Sequence, residues 1–128
     1  MSKTVIATSG APAAIGPYSQ GIRTGNLIFT AGQAAIDPAT QQVVAGGITE
    51  QTTQTLENLK AVLEAGGSSL GRVVKANVYL KNLEDFGAMN EVYAKYLGAQ
   101  GPLPARTTVE VSRLPRNVLV EIEFVAEV

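Results

Sequence analysis

The sequence predicts an α+β fold with a mixed sheet and two helices packed on one of its faces. Two segments repeat apolar residues at helical spacing, and strand-like segments precede, separate and follow them. The resulting order is strands, helix, strand, helix, strand, strand. Because strand–helix–strand crossovers are right-handed, both helices should cover the same face and leave the other bare. A length of 128 residues predicts one domain over residues 1–128.

The first 36 residues are predicted to form three strands and an ordered loop. Residues 5–7 favour a short strand, and the two Gly and two Pro of residues 10–17 favour an irregular loop. Residues 21–23 and 27–36 predict a hairpin around the turn at 24–26. Both faces of the second hairpin strand carry apolar or small residues, so we expect both to be buried.

The first helix is predicted over residues 48–65. A turn at 37–40 and a weak strand at 43–44 precede it. Its apolar stripe consists of Leu56, Leu59, Val62 and Leu63. Gly66 and Gly67 should end the helix.

A strand and a second helix follow. Residues 74–80 alternate apolar and polar side chains, as a half-buried strand does. Asn82 can cap a helix that ends at Gly98. The inward face of this helix is expected to consist of Phe86, Met89, Tyr93 and Leu97.

The sheet is predicted to end with two further strands. Residues 107–113 and 118–125 flank a turn at 114–117 and should pair antiparallel. Because the strands are apolar or small on both sides and only 16% of the residues are charged, the bare face should pack against other copies of the chain.

Composition excludes several classes of function. The sequence has no Cys and no His, so thiolate nucleophiles, disulfides, Ser-His-Asp triads and zinc sites that use Cys or His are ruled out. A net charge of -1 argues against nucleic acid as a partner. No targeting segment or run of about 18 apolar residues is found, which predicts a cytoplasmic protein outside the membrane.

Arg106 is the most informative polar residue. It enters a strand of small and β-branched residues, where an unpaired guanidinium costs desolvation free energy. One interpretation, which spacing alone favours, is a salt bridge to a glutamate on the neighbouring strand. The other is a site for a substrate carboxylate.

Three other polar residues allow two interpretations each. Tyr18 is a packing aromatic or a phenol held near a cleft by a rigid loop. Asn90 lies on a solvated helix face or turns its amide inward. Lys75 could be a Schiff-base lysine, but its strand neighbours favour a solvated face. Residues 66–72 do not form a phosphate loop, since they follow a helix and lead into a strand.

Several segments, in order along the chain, resemble the RidA (YjgF) family of enamine/imine deaminases. They are Ala-Ile-Gly-Pro-Tyr-Ser-Gln at 14–20, Thr-Ala-Gly-Gln at 30–33, Leu-Glu-Asn-Leu-Lys at 56–60, Pro-Ala-Arg-Thr-Thr-Val-Glu-Val at 104–111, Arg-Leu-Pro at 113–115 and Val-Glu-Ile-Glu at 120–123. The resemblance implies a chorismate-mutase-like fold, a homotrimer with active sites between subunits, and no cofactor or metal.

The same resemblance assigns roles to individual residues. It implies that Arg106 binds the substrate carboxylate and that Glu121 places or activates water, these two being the catalytic pair. The implied substrate-binding residues are Tyr18, Gly32, Asn90, Arg106, Thr107 and Thr108, with both threonines in the pocket of the arginine. Ala31 and Thr108 depart from the family pattern, where Ser and Cys are frequent.

The implied activity is hydrolysis of 2-aminoacrylate and 2-imino acids, which pyridoxal-phosphate-dependent dehydratases release, to 2-keto acids and ammonia. This corresponds to a 2-iminobutanoate/2-iminopropanoate deaminase. Because such substrates also hydrolyse without help, a site lacking His, Cys and metal is chemically sufficient. The alternatives are an endoribonuclease or translation inhibitor, and a non-catalytic carboxylate binder or holdase.

Overall fold

Six strands form one mixed sheet in the computed structural model of the chain, which describes residues 2–128. The strands are β1 (Thr4–Ile6), β2 (Gly21–Thr24), β3 (Leu27–Thr30), β4 (Val73–Leu80), β5 (Ala105–Glu110) and β6 (Val120–Glu127). Their spatial order is β1-β2-β3-β6-β4-β5. The β4–β5 pair is parallel and the other neighbouring pairs are antiparallel. The expected α+β class with a mixed sheet is confirmed.

Helix α1 (Ile48–Ala65) has the predicted bounds. The Gly47 N–H at its start donates to Glu50 Oε1 at 2.8 Å, which satisfies one of the free amide groups of the first turn. The predicted stripe is fully buried, with Leu56, Leu59, Val62 and Leu63 all at 0% exposure. Gly67 follows the helix with a φ of 90°, a conformation that glycine adopts at low cost.

Helix α2 (Phe86–Leu97) packs on the same side of the sheet, and its core-facing residues join the same apolar cluster as α1. Asn82 Oδ1 accepts the Glu84 N–H at 2.9 Å. It therefore caps a short 3-10 helix, Leu83–Asp85, that continues into α2. Phe86 is 40% exposed, so the prediction that it faces the core is wrong. Neither helix of the described chain is long and apolar enough to cross a bilayer.

The pairing predicted for the last two strands is wrong. β4 lies between β5 and β6, with Ala76 opposite Arg106 on one side and Phe124 on the other. The crossover through α2 returns the chain parallel to β4, which leaves β5 at the edge of the sheet. The segment after β5 then passes over β4 through a 3-10 helix, Pro115–Asn117, and does not close a hairpin.

The prediction for the segment around β3 is also wrong in part. β3 ends at Thr30, six residues earlier than expected, and the predicted strand at 43–44 is reduced to a bridge between Ile36 and Val43. Phe29 is 44% exposed, so only one face of β3 is buried within the chain. The reason is that both helices cover the same side.

The two faces of the sheet therefore differ in character. The helix side carries the core residues of β4 and β6, among them Ala76, Val78, Ile122 and Phe124. The opposite side, which we call the open face, carries polar and exposed apolar residues. They are Phe29, Lys75, Asn77, Tyr79, Thr107, Val109, Glu121, Glu123 and Val125.

Candidate active site

Arg106 lies on the helix side of the edge strand β5. Its guanidinium carbon is 4.7 Å from the centre of the Tyr93 ring and 5.5 Å from that of Phe86. Cation–π contact lowers the cost of placing a half-buried charge here. Within residues 2–128 these rings, and no carboxylate, are its contacts.

The salt bridge that spacing favoured is absent from the described chain. Glu121 and Glu123 lie on β6, which β4 separates from β5, and they point to the open face. Glu110 shares the strand of Arg106, but its Oε1 accepts the Leu83 N–H at 2.9 Å. The guanidinium thus has its charge-assisted hydrogen-bonding capacity free for another group.

Three unpaired polar atoms lie on the elements that position this arginine, since Thr108 shares its face of β5 and Asn90 is three residues before Tyr93 on α2. Asn90 Oδ1, Tyr93 OH and Thr108 Oγ1 are buried and have no hydrogen-bond partner in residues 2–128. Each such atom costs about 1–3 kcal/mol relative to a satisfied one. Burial raises the pKa of Tyr93, although the positive charge of Arg106 opposes the shift. We call Arg106, Asn90, Tyr93 and Thr108 the arginine cluster.

A cavity of about 360 Å³ lies at the other group of predicted residues. We call it the glutamate cavity. Its wall is formed by Pro12, Ala13, Ile15, Tyr18, Ala31, Gly32, Gln33, Ala34, Ile36, Gln41, Pro115, Arg116 and Glu121. Three loops and the start of β6 therefore meet here, and most of the wall is apolar or small.

Glu121 is the acidic group of this cavity. Burial raises the pKa of its carboxyl above the ordinary value, and the negative charge of Glu123 raises it further. A Cβ added at Gly32 would lie 2.8 Å from Glu121 Cδ, so glycine is what allows the carboxyl to lie against the backbone. A carboxyl with a raised pKa can exchange protons closer to neutral pH.

Buried amides hold the loops of the cavity. Gln20 Oε1 accepts the Thr8 N–H at 2.7 Å, and Gln20 Nε2 donates to Pro12 O at 2.7 Å. On α1, Asn58 Nδ2 donates to Ala34 O at 3.0 Å and to Ile36 O at 2.9 Å. Sequence reasoning missed these residues, although an asparagine between buried leucines in a helix is a signal of a specific partner.

The predicted site residues fall into two groups within one chain. Asn90, Arg106 and Thr108 belong to the arginine cluster on the helix side. Tyr18, Gly32 and Glu121 line the glutamate cavity. Arg106 and Glu121 are separated by the sheet, because their register positions point to opposite faces.

Thr107 corrects one expectation. Its Oγ1 accepts a hydrogen bond from Lys75 Nζ at 3.0 Å on the open face. The Thr107 side chain therefore does not share the pocket of Arg106 within this chain, because neighbouring residues of a strand point to opposite faces. Lys75 is half-buried and serves as this donor.

The described residues contain no group of three or more acidic side chains placed to hold a metal ion. What the arrangement offers instead is a guanidinium with unpaired polar neighbours and, separately, a carboxyl of raised pKa in a mainly apolar cavity.

Comparison with known proteins gives consistent matches over nearly the whole chain. The family model described as endoribonuclease L-PSP matches residues 8–128. A RutC family protein of Pyrococcus horikoshii is 58% identical over 124 residues, covering 97% of each chain. A 2-iminobutanoate/2-iminopropanoate deaminase of Salmonella typhimurium is 48% identical, covering 98% of each. The crystal structure of the Escherichia coli YjgF gene product superposes with a TM-score of 0.92 at 45% identity, covering 97% of this chain and 98% of that one.

Proposed function

Because the chain belongs to the RidA (YjgF) family, whose family model is described as endoribonuclease L-PSP, we propose that it hydrolyses 2-imino acids to 2-keto acids and ammonia. The observation that carries this proposal is the arginine cluster, where a guanidinium without a carboxylate partner lies on the Tyr93 ring and three buried polar atoms of the same two elements, α2 and β5, are unpaired. The deaminase name of the Salmonella relative supports the reaction type. Short 2-imino acids such as 2-iminopropanoate and 2-iminobutanoate are the proposed substrates.

Arg106 binds the carboxylate of the substrate. Its planar donors match the two carboxylate oxygens, and its ring contacts fix its plane. The unpaired oxygens of Asn90 and Thr108 are then available to the imine nitrogen and its hydrogens. Fixing the acid in this way orients C2 for attack, which removes part of the barrier.

Glu121 acts on the water. As the water oxygen bonds to C2, the carboxylate takes one of its protons, the C=N electron pair moves to nitrogen, and Glu121 passes that proton to the nitrogen and returns to the carboxylate form. The resulting carbinolamine then collapses. Glu121 takes the hydroxyl proton and passes it to the amino nitrogen, the C–N bond breaks, C2 becomes a carbonyl, and ammonia leaves with the carboxylate regenerated. No electrons are gained or lost in the sum, since the imine takes up one water.

The two groups meet between chains of a homotrimer. Within one chain Arg106 and Glu121 lie on opposite sides of the sheet. Arg106 lies on the edge strand, where a second copy can approach. The open face exposes the apolar side chains of Phe29 (44%) and Val109 (41%) among polar ones, and a second copy can cover them.

Replacement of Arg106 by alanine tests the function. We expect kcat/KM for 2-iminopropanoate, made in situ by an amino-acid oxidase and followed as ammonia release, to fall at least about 100-fold. Arg72→Ala is the matched control, since Arg72 is an exposed arginine on a short 3-10 helix. Unchanged rates above buffer for Arg106→Ala, with the fold retained, would overturn the proposed site.

The description of the family model makes ribonuclease activity a second candidate. The net charge of -1 and the absence of histidine count against it. RNA cleavage that survives Arg106→Ala and falls steeply with salt would favour this candidate over the deaminase.

A further inference from the structure

A second guanidinium, that of Arg116, lies in the wall of the glutamate cavity. Arg116 is not among the residues of the proposed mechanism. Its Nη1 donates to Gln41 O at 2.9 Å, which joins two loops that are 75 residues apart in sequence. This contact fixes the side chain at the cavity, although the residue is exposed.

The backbone around this contact is held in an uncommon conformation. In residues 2–128 the non-glycine residues with positive φ are Gln41 at 61°, Arg116 at 59° and Asn117 at 56°. Two of them form the Arg116–Gln41 hydrogen bond, and the third follows directly in the chain. Left-handed residues of this kind cost roughly 1 kcal/mol each and gather where a side chain must be aimed.

The Arg116 guanidinium keeps most of its donors free. It has five N–H groups, and the described contacts use one of them, on Gln41 O. Within residues 2–128 the Arg116 guanidinium donates to Gln41 O and to no carboxylate. The cavity thus holds a carboxyl and a cation that are not paired with each other.

The wall of the same cavity also has apolar residues, Pro12, Ile15, Ile36 and Pro115. A volume of about 360 Å³ is at the lower end of the range of small-molecule sites. An occupant that suits this wall is a short hydrocarbon chain that ends in an anion. With C2 at Glu121, such a chain is the side chain of the substrate.

We propose that Arg116 is a specificity-determining residue that binds the side-chain carboxylate of dicarboxylic 2-imino acids. This inference rests on the proposed imine hydrolysis. In it Arg106 binds the 1-carboxylate, Glu121 serves the water at C2, and Arg116 binds the distal carboxylate in the glutamate cavity.

The test compares two substrates in three variants. Imines of alanine and glutamate are generated in situ by their oxidases, and kcat/KM is measured for each. In Arg116→Gln and Arg116→Gly, the ratio of the glutamate imine to the alanine imine is expected to fall at least about tenfold. Glycine suits a φ of 59° and so removes the guanidinium without adding backbone strain. Arg72→Gln is the control of equal charge change, since Arg72 is exposed on the 3-10 helix Leu70–Arg72 and lies outside the cavity wall.

Each result decides between the inference and its rivals. A ratio unchanged in both Arg116 variants, while the alanine imine is still hydrolysed, overturns the role of Arg116 and leaves the proposed function intact. A fall of the same size in Arg72→Gln also overturns it, because the effect is then one of overall charge. If the wild-type protein accelerates neither imine, the proposed function itself fails.

Discussion

At the scale of single residues, Glu121 is held in surroundings that disfavour its charge. Burial and the negative charge of Glu123 both raise its pKa, and Gly32 leaves the space that the carboxyl occupies. Groups that are needed for chemistry are commonly kept in such unfavourable surroundings. Stability and activity should therefore respond in opposite directions when this residue is changed.

Glu121→Gln is expected to abolish activity and to stabilise the chain. Loss of a general base lowers kcat by about 100-fold or more, whereas a neutral amide removes the repulsion by Glu123. Since Glu121 is only half-buried, the gain should be up to about 1 kcal/mol at neutral pH. Urea unfolding and the ammonia assay measure the two effects. A destabilised variant would contradict the direction of the pKa shift.

The pH profile provides a second check on the same carboxyl. Hydrolysis needs the ionised form, so kcat/KM should fall as pH falls through the raised pKa of Glu121. Glu123→Gln removes one cause of that shift and should move the acid limb to lower pH. The free energy of unfolding depends on pH in the opposite direction. Because the pKa of Glu121 is higher in the folded chain than in the unfolded chain, the contribution of this carboxyl to the free energy of unfolding declines as the pH rises from the unfolded pKa to the folded one. An acid limb that stays in place in Glu123→Gln would exclude Glu121 as its origin.

Gly32→Ala tests whether activity depends on the position of the Glu121 carboxyl as well as on its charge. The added Cβ would come within 2.8 Å of Glu121 Cδ, so the carboxyl must move away from the backbone. We expect kcat/KM to fall at least about tenfold with little change in the melting temperature, because a flexible side chain can shift. Gly87→Ala is the control, since nothing lies within 4 Å of a Cβ there. A wild-type rate for Gly32→Ala would show that Glu121 does not act from this position.

At the scale of elements, α1 supports the cavity through one side chain. Asn58 is fully buried and donates to two carbonyls of the segment that forms part of the wall. Asn58→Leu leaves both carbonyls without this donor and should lower the free energy of unfolding by about 2–4 kcal/mol. Gln54→Ala removes the donor to Asn58 Oδ1 and should cost about 1 kcal/mol or less. Equal losses in the two variants, measured by urea unfolding, would contradict the role assigned to Asn58.

The elements also show how far sequence reasoning reaches. The bounds of α1 and the stripe of Leu56, Leu59 and Val62 follow from local spacing, and the structure confirms them. The partner of β5 is not a local property. A turn at 114–117 looks like a hairpin in sequence, whereas the left-handed Arg116 and Asn117 carry the chain across β4.

For the candidate site, too, the sequence predicts which residues matter but not where the fold places their side chains. Resemblance marks Arg106, Glu121 and their neighbours as a group, but alternation along β5 and β6 decides which face each side chain takes. Within the chain Thr107 faces away from Arg106 because of that alternation. Arg116 carries no distinguishing pattern in the sequence, because its contact with Gln41 depends on two distant loops.

At the scale of the whole molecule, the sheet separates the two halves of the proposed site. The Arg106 side is covered by α2, and the Glu121 side opens onto the uncovered face. An isolated chain therefore cannot bring both groups to one substrate.

Val109→Asp, which places a charge on the open face at a 41% exposed position, should weaken assembly and lower activity together. Light scattering and the ammonia assay test this expectation, and a fully active monomer would contradict it.

Mixing two inactive variants tests the shared site directly. In the proposed site, Arg106 comes from one subunit and Glu121 from its neighbour. A trimer that contains both Arg106→Ala and Glu121→Gln chains then has one intact site, at the interface where the Glu121→Gln chain contributes Arg106 and the Arg106→Ala chain contributes Glu121. Random assembly of equal amounts makes about three quarters of the trimers mixed, which corresponds to about one quarter of the wild-type number of sites. Co-refolded mixtures should therefore recover up to about a quarter of wild-type activity, while each variant refolded alone stays inactive.

As a control, the two variants are mixed without unfolding, and no activity should be recovered, because folded trimers do not exchange subunits during a short assay. A co-refolded mixture no more active than its parents would place Arg106 and Glu121 in the same site of one chain, which the opposite faces of β5 and β6 argue against.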